Sequence, residues 1–180
     1  MIQGGQLEPM LIAGIAVSKT NRTDDYSIRG NRHEAYCQFV VDEVLATIED
    51  EYRVDPDKRI MAGISLGGCA SISLSLQYPQ LFSNLLLFSG AFFPHVQEHV
   101  KKTLDLSHLN VYMLIGKQET DVETTSKAHY NFYSYNQQML DILRTRGANV
   151  TYKEADGTHI WGFWQRELPG ALIYANQLIR

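Results

Sequence analysis

Apolar and polar positions along this chain fall into blocks, and the period changes from block to block. Met10 to Val17 is a continuous apolar run, which predicts a strand buried on both faces. Ser18 to Arg32 is polar, with Asn, Arg, Asp and Gly, and reads as a loop. From His33 to Tyr52, apolar residues recur at Tyr36, Phe39, Val40, Val44, Leu45 and Ile48, the spacing of one helix face. Asp55-Pro56 makes a turn, and Arg59 to Ile64 is a second strand. A helix follows to about Tyr78, where Pro79 stops it. Asn84 to Ser89 and Val111 to Ile115 predict two more buried strands, the latter ended by Gly116. Ala128 to Arg146 predicts a long helix capped by Gly147. Val150 to Glu154 is a short fifth strand, and Leu168 to Ile179 a closing helix.

Strands alternating with helices imply a mostly parallel sheet covered by helices on both faces. Without repeat, linker or low-complexity segment, residues 1–180 read as one α/β domain. In such sheets the functional loops lie at the carboxyl ends of the strands.

Composition narrows the function classes. The formal net charge is −4, with Lys and Arg spread along the chain, which leaves no footprint for nucleic acid. No apolar run approaches the roughly 20 residues of a membrane span. Met1-Ile2-Gln3-Gly4-Gly5-Gln6 lacks the charged and apolar regions of a signal peptide. Cys37 and Cys69 do not make a disulfide framework and read as reduced thiols, Cys69 buried, so a cytoplasmic location is expected.

The candidate chemistry starts at Gly63-Ile64-Ser65-Leu66-Gly67, a G-x-S-x-G between a predicted strand and a predicted helix. A nucleophile elbow needs that context: a sharp turn pushes the serine hydroxyl out of the sheet. The flanking glycines are expected to avoid Cβ collisions, and the small residues Gly68, Cys69, Ala70 and Ser71 let the helix lie close to the sheet. A serine hydroxyl is a poor nucleophile at neutral pH, so it needs a base, and the base needs a carboxylate to hold its tautomer. Ser65, then Glu119 or Asp121, then His159 runs in the order nucleophile, acid, histidine. Glu119, three residues after Gly116, is preferred as the acid, with Asp121 the alternative. Asp156 is closer to His159 in sequence and reads as a loop-shaping residue.

His159 is the preferred base because it follows the fifth strand in Asp156-Gly157-Thr158-His159. His33 and His129, near predicted helix starts, read as surface residues, and His108 precedes the fourth strand at the wrong end of the sheet. His95 and His99 are four apart but lack a third ligand of matching spacing, so no metal and no cofactor is expected. Leu66 N–H, just after the nucleophile, is the expected oxyanion donor. The second donor usually comes from the loop after an earlier strand, and no such loop precedes Met10.

Taken together these residues resemble the esterase D-like family of α/β hydrolases, also called the putative esterase family. It includes enterobactin-type esterases, feruloyl and acetyl xylan esterases, tributyrin esterases and bacterial mycolyltransferases. Pro9 to Ile15 looks like the family's fourth strand, and Asn21-Arg22-Thr23 with Asp25-Tyr26 like the loop after it. Gly63 to Gly68 is similar to its elbow. Tyr78 to Phe82, Phe88 to Ala91 and Asp156 to His159 with Trp161 and Trp164 match its later segments. The resemblance implies an α/β-hydrolase sheet that lacks the first strands, with Ser65 as nucleophile, His159 as base and Glu119 as acid. It implies a serine carboxylesterase acting on small acyl or aryl esters, or an acyltransferase with the same machinery. Trp161 and Trp164 are expected to pack the closing helix, and Trp161 to face substrate. A copy of the chain covering an exposed sheet edge is a further expectation. The other class considered is a non-catalytic domain that binds a ligand or partner.

Overall fold

The computed structural model describes residues 1–180. Four strands form its sheet: β1 (Met61–Ile64), β2 (Asn84–Phe88), β3 (Asn110–Gly116) and β6 (Asn149–Ala155). They are parallel and lie in that order. Two short strands, β4 (Val122–Glu123) and β5 (His129–Tyr130), pair as an antiparallel hairpin beyond β3.

Alternation along the strands divides the core into two layers, because successive side chains point to opposite faces. Leu85 and Leu87 of β2 and Val111, Met113 and Ile115 of β3 pack on one side. They meet α4 (Leu66–Gln77), α5 (Pro94–Lys101) and α6 (Phe132–Thr145) through Ile72, Val96, Val100, Met139 and Leu143. Leu86, Phe88, Tyr112 and Leu114 face the other way, onto Phe163, Trp164, Ala171 and Ala175 of α7 (Trp161–Leu178). The expected α/β architecture, a parallel sheet with helices on both faces, is therefore observed.

Several local expectations change. Met10 to Val17 is not a strand: it joins no ladder, and β1 ends the sheet. Leu11 and Ile12 are exposed. An apolar run marks a preference for burial, but a strand also needs a neighbour whose backbone groups meet its own in register. The region read as the loop 18–32 contains a short helix, α1 (Arg22–Tyr26). His33 to Glu51 is helical as expected, as α2 (His33–Phe39), a π-helical stretch over Val40–Leu45, and α3 (Ala46–Glu51).

The long helix expected from Ala128 begins only at Phe132, where the Asn131 side chain accepts the Ser134 N–H and caps it. His129 thus sits in β5, exposed, and not at a helix start. The closing helix begins at Trp161, seven residues before the expected start at Leu168. Pro169 lies inside it on the exposed side, where water can satisfy the carbonyl that loses its partner. Trp164 packs this helix as expected, but Trp161 does not, being 67% exposed.

His33, expected at the surface, is buried between two layers of helix. One ring nitrogen, Nδ1, lies 2.9 Å from the Asp25 carbonyl oxygen, and Nε2 lies 2.7 Å from Ser73 Oγ. The carbonyl can only accept, so Nδ1 carries the proton and Nε2 accepts from the Ser73 hydroxyl. Gln77 also donates to Ser73 Oγ. Asp25, itself buried, pairs with Arg32 at 2.8 Å. This strut fastens α1 and α2 to the helix that follows Ser65.

Candidate active site

The strand register sets the site. Ile64 pairs with Phe88, Phe88 with Leu114, and Gly116 with Ala155, so the carboxyl ends of all four strands open on one edge. The next residues of the chain supply Ser65, Ser89, Glu119 and His159.

Ser65 sits between β1 and α4 with φ 56° and ψ −120°, a conformation that costs a residue with a Cβ on the order of 1–3 kcal/mol. Two backbone bonds hold it there: its N–H donates to the Phe88 carbonyl at 3.0 Å, and its own carbonyl accepts the Ala91 N–H at 3.0 Å. Gly63 is required, because a Cβ there would run into the Gly67 carbonyl and come within 2.5 Å of Ser71 Oγ. Gly67 differs from the expectation: a Cβ there would meet only Tyr26 Cε2, at an ordinary 3.8 Å. Gly68 is tight, since its Cβ would lie 3.2 Å from Gly90 Cα. Cys69 is fully buried, its Sγ donating to the Ala91 carbonyl at 2.8 Å. Burial pushes that thiol up to about 12.

His159 Nε2 lies 3.0 Å from Ser65 Oγ, and His159 Nδ1 lies 2.6 Å from Glu119 Oε2. A carboxylate accepts, so Nδ1 donates to it and Nε2 is left to accept the serine proton. Glu119 has no exposed surface. Its second oxygen, Oε1, accepts from Ser89 Oγ at 2.6 Å and from the Gly116 N–H at 2.9 Å, which compensates a charge removed from water. Phe132 stacks on the imidazole at 4.6 Å and 20°, and Trp164 meets it edge-on at 4.9 Å and 89°. The ring is therefore held by a carboxylate and two aromatic walls.

Asp121 is not brought to this cluster. It is exposed just before β4 and pairs with His129 Nδ1 at 2.9 Å. Asp156 lies at the surface near Lys117. Leu66 N–H, at the first position of α4, has no intrahelical partner, and the positive end of that helix dipole points with it toward Ser65. Trp161 is exposed beside the cluster, its ring T-shaped on Trp164 at 5.4 Å.

Three further residues shape the site without a signal in the sequence that singles them out. Ser89 and Phe132 touch Glu119 and His159 directly. Asn136 of α6 is fully buried and clamps the loop after β2: its Oδ1 accepts the Gly90 N–H at 3.2 Å while its Nδ2 donates to the Gly90 carbonyl at 2.8 Å. A hairpin-like amide clamp of this kind is written in tertiary contacts 46 residues apart. The only available clue was a polar side chain on the buried face of an amphipathic helix.

Comparison with known proteins gives the family and the fold. A family model described as "Putative esterase" matches residues 6–175. The chain is 31% identical over 170 residues to the uncharacterized protein YjcH of Bacillus subtilis (strain 168), covering 93% of this chain and 71% of that protein. It is 20% identical to an acetyl esterase of Caldicellulosiruptor saccharolyticus, over 82% of this chain and 66% of that one. Among solved structures, the enterobactin esterase of Shigella flexneri superposes with a TM-score of 0.78 at 22% identity, covering 99% of this chain and 47% of that chain. A ferulic acid esterase superposes with a TM-score of 0.68 at 19% identity, covering 81% and 62%. The chain thus spans less than two thirds of either of these two esterase structures, and at such identities the likeness is one of fold.

Proposed function

The chain belongs to this esterase family, and from that premise we propose that it is a serine ester hydrolase acting on small acyl or aryl esters through an acyl-enzyme. The observation that carries the reading is the unbroken hydrogen-bond chain Ser65 Oγ, His159 Nε2, His159 Nδ1, Glu119 Oε2.

Ser65 Oγ attacks the ester carbonyl carbon as its proton passes to His159 Nε2. Glu119 keeps the imidazole in the accepting tautomer and stabilises the imidazolium that forms. The carbonyl oxygen takes up negative charge and is met by the Leu66 N–H and the amino end of α4. Collapse breaks the bond to the alcohol, which leaves with the proton from His159. Water then repeats the sequence on the acyl-serine, releasing the carboxylic acid and free Ser65. An alcohol in place of water would turn the same steps into acyl transfer. Trp161, exposed beside His159, offers an apolar wall to the substrate.

The test is covalent and kinetic. A fluorophosphonate is expected to label Ser65 in the folded wild type and to leave Ser65→Ala unlabelled. Hydrolysis of p-nitrophenyl acetate at equal rates by wild type and Ser65→Ala would overturn the proposal.

A further inference from the structure

Ser89 combines three properties that a linking residue after a strand does not need. It has no exposed surface. Its φ is +47°, in the left-handed region where glycine is favoured, and Gly90 stands directly after it. Its hydroxyl is fully engaged on both sides. Oγ donates to Glu119 Oε1 at 2.6 Å and accepts the Trp164 indole N–H at 2.8 Å. The direction is forced, because an indole N–H can only donate and a carboxylate can only accept.

The two partners of Ser89 are also the two sides of His159. Glu119 holds the imidazole through Nδ1, and the Trp164 ring stands at right angles to it at 4.9 Å. Loop 116–119, the closing helix and the end of β2 therefore meet at one oxygen atom. Without it, the Trp164 N–H would be buried unpaired, and Glu119 would keep only the Gly116 N–H on Oε1. A carboxylate so released can rotate, and the imidazole turns with it. A serine retained at positive φ, where a glycine would relieve the backbone, is explained by a use for its hydroxyl.

We infer that Ser89 is a positioning residue of the site, whose hydroxyl locks Glu119 and Trp164 so that His159 Nε2 stays aimed at Ser65. This rests on the ester-hydrolase reading given above. Ser89 takes no part in bond making: its proton stays on Oγ throughout.

Two substitutions separate hydroxyl from backbone. Ser89→Ala removes the hydroxyl and keeps the strained φ, whereas Ser89→Gly removes both. Both are expected to lower kcat on p-nitrophenyl acetate roughly 10- to 100-fold with little change in KM, the order expected for misaligned reacting groups. Trp164→Phe in the Ser89→Gly background is expected to add little, because the two residues act on one oxygen. A readout that needs no activity accompanies these: the downfield proton resonance of His159 Nδ1–H, expected in wild type and lost or shifted upfield in Ser89→Gly. Full kcat in Ser89→Gly, or an unmoved resonance in that variant, would overturn the proposal. If wild type itself shows no Ser65-dependent hydrolysis, the ester-hydrolase reading fails alone, and the resonance still decides whether Ser89 holds the Glu119–His159 pair.

Discussion

Glu119 Oε2 stands 2.6 Å from His159 Nδ1, while Asp121, two residues further along the same loop, is paired with His129 at the surface. Position after Gly116 favours Glu119 and leaves Asp121 as the alternative, and the fold separates them, burying Glu119 and leaving Asp121 exposed. Replacing Glu119 by Gln would leave the shape intact but offer an amide N–H or a neutral oxygen to Nδ1, so the wrong tautomer becomes accessible. We expect kcat/KM of Glu119→Gln to fall on the order of 10³- to 10⁴-fold. Asp121→Asn should stay within about twofold of wild type, as a fully exposed ion pair contributes little. Steady-state hydrolysis of p-nitrophenyl acetate checks both, and a larger loss in Asp121→Asn than in Glu119→Gln would reverse the assignment of the acid.

The elbow glycines are predicted to differ. A Cβ on Gly63 meets the Gly67 backbone, which cannot move without shifting α4, and the Ser71 hydroxyl. Gly63→Ala is expected to destabilise by about 1–3 kcal/mol or to prevent folding. Gly67 has room, and an alanine within the first turn of α4 lowers the entropy of the unfolded chain, so Gly67→Ala should be neutral or more stable by up to about 1 kcal/mol. Urea midpoints at fixed pH compare the two, with circular dichroism as the probe of folding.

How far the site could be read from sequence follows from what each residue's role depends on. Ser65, Glu119 and His159 each follow a strand in a parallel sheet, and the carboxyl ends of such strands are brought together by topology alone. Chain order then assigned the roles. Ser89 also follows a strand, but its role is set by the Trp164 indole 75 residues away, and nothing in a serine predicts which oxygen it will reach. The burial of His33 is hidden in the same way, since its partner Ser73 lies 40 residues on. Met10 to Val17 is apolar yet joins no ladder, because strand formation is a property of a pair and the sequence of one member does not specify its neighbour. The closing helix is expected from Leu168, next to Pro169, a residue that favours first turns. The exposed face of a longer helix tolerates it as well, and local preference cannot separate the two.

The strut beneath the elbow helix should be visible in stability. Ser73→Ala removes the donor to His33 Nε2 and the acceptor of Gln77 Nε2, leaving the buried ring nitrogen only the weak Cys37 thiol at 3.6 Å. A loss of about 1–3 kcal/mol is expected from the weakened pairing of this buried group. Ser73 lies two turns along α4 from Ser65, so kcat measured well below the melting temperature should stay near wild type. Urea unfolding measures the first expectation and ester hydrolysis at 25 °C the second. An unchanged midpoint would mean that the His33–Ser73 bond contributes nothing net.

Alkaline conditions should weaken the fold through its two thiols. Burial pushes Cys37 up to about 11 and Cys69 to about 12, against an ordinary value of 9.0. A folded-state value above the unfolded one means that the native chain keeps a proton the unfolded chain has released. The stabilising contribution is therefore complete below about pH 9 and is progressively lost as pH rises toward 11 and 12. The urea midpoint is expected to be level from pH 7 to 8.5 with respect to these groups and to fall between pH 9 and 11. Cys69→Ala should flatten that fall while lowering the midpoint at neutral pH, because the thiol also donates to the Ala91 carbonyl beside Ser65. Both thiols are buried, so a disulfide reagent at pH 8 should react with neither in the native protein and with both in urea. Rapid modification of Cys69 in native protein would show that the elbow opens on its own, and the rigid placement of Ser65 derived from its backbone bonds would not survive that result.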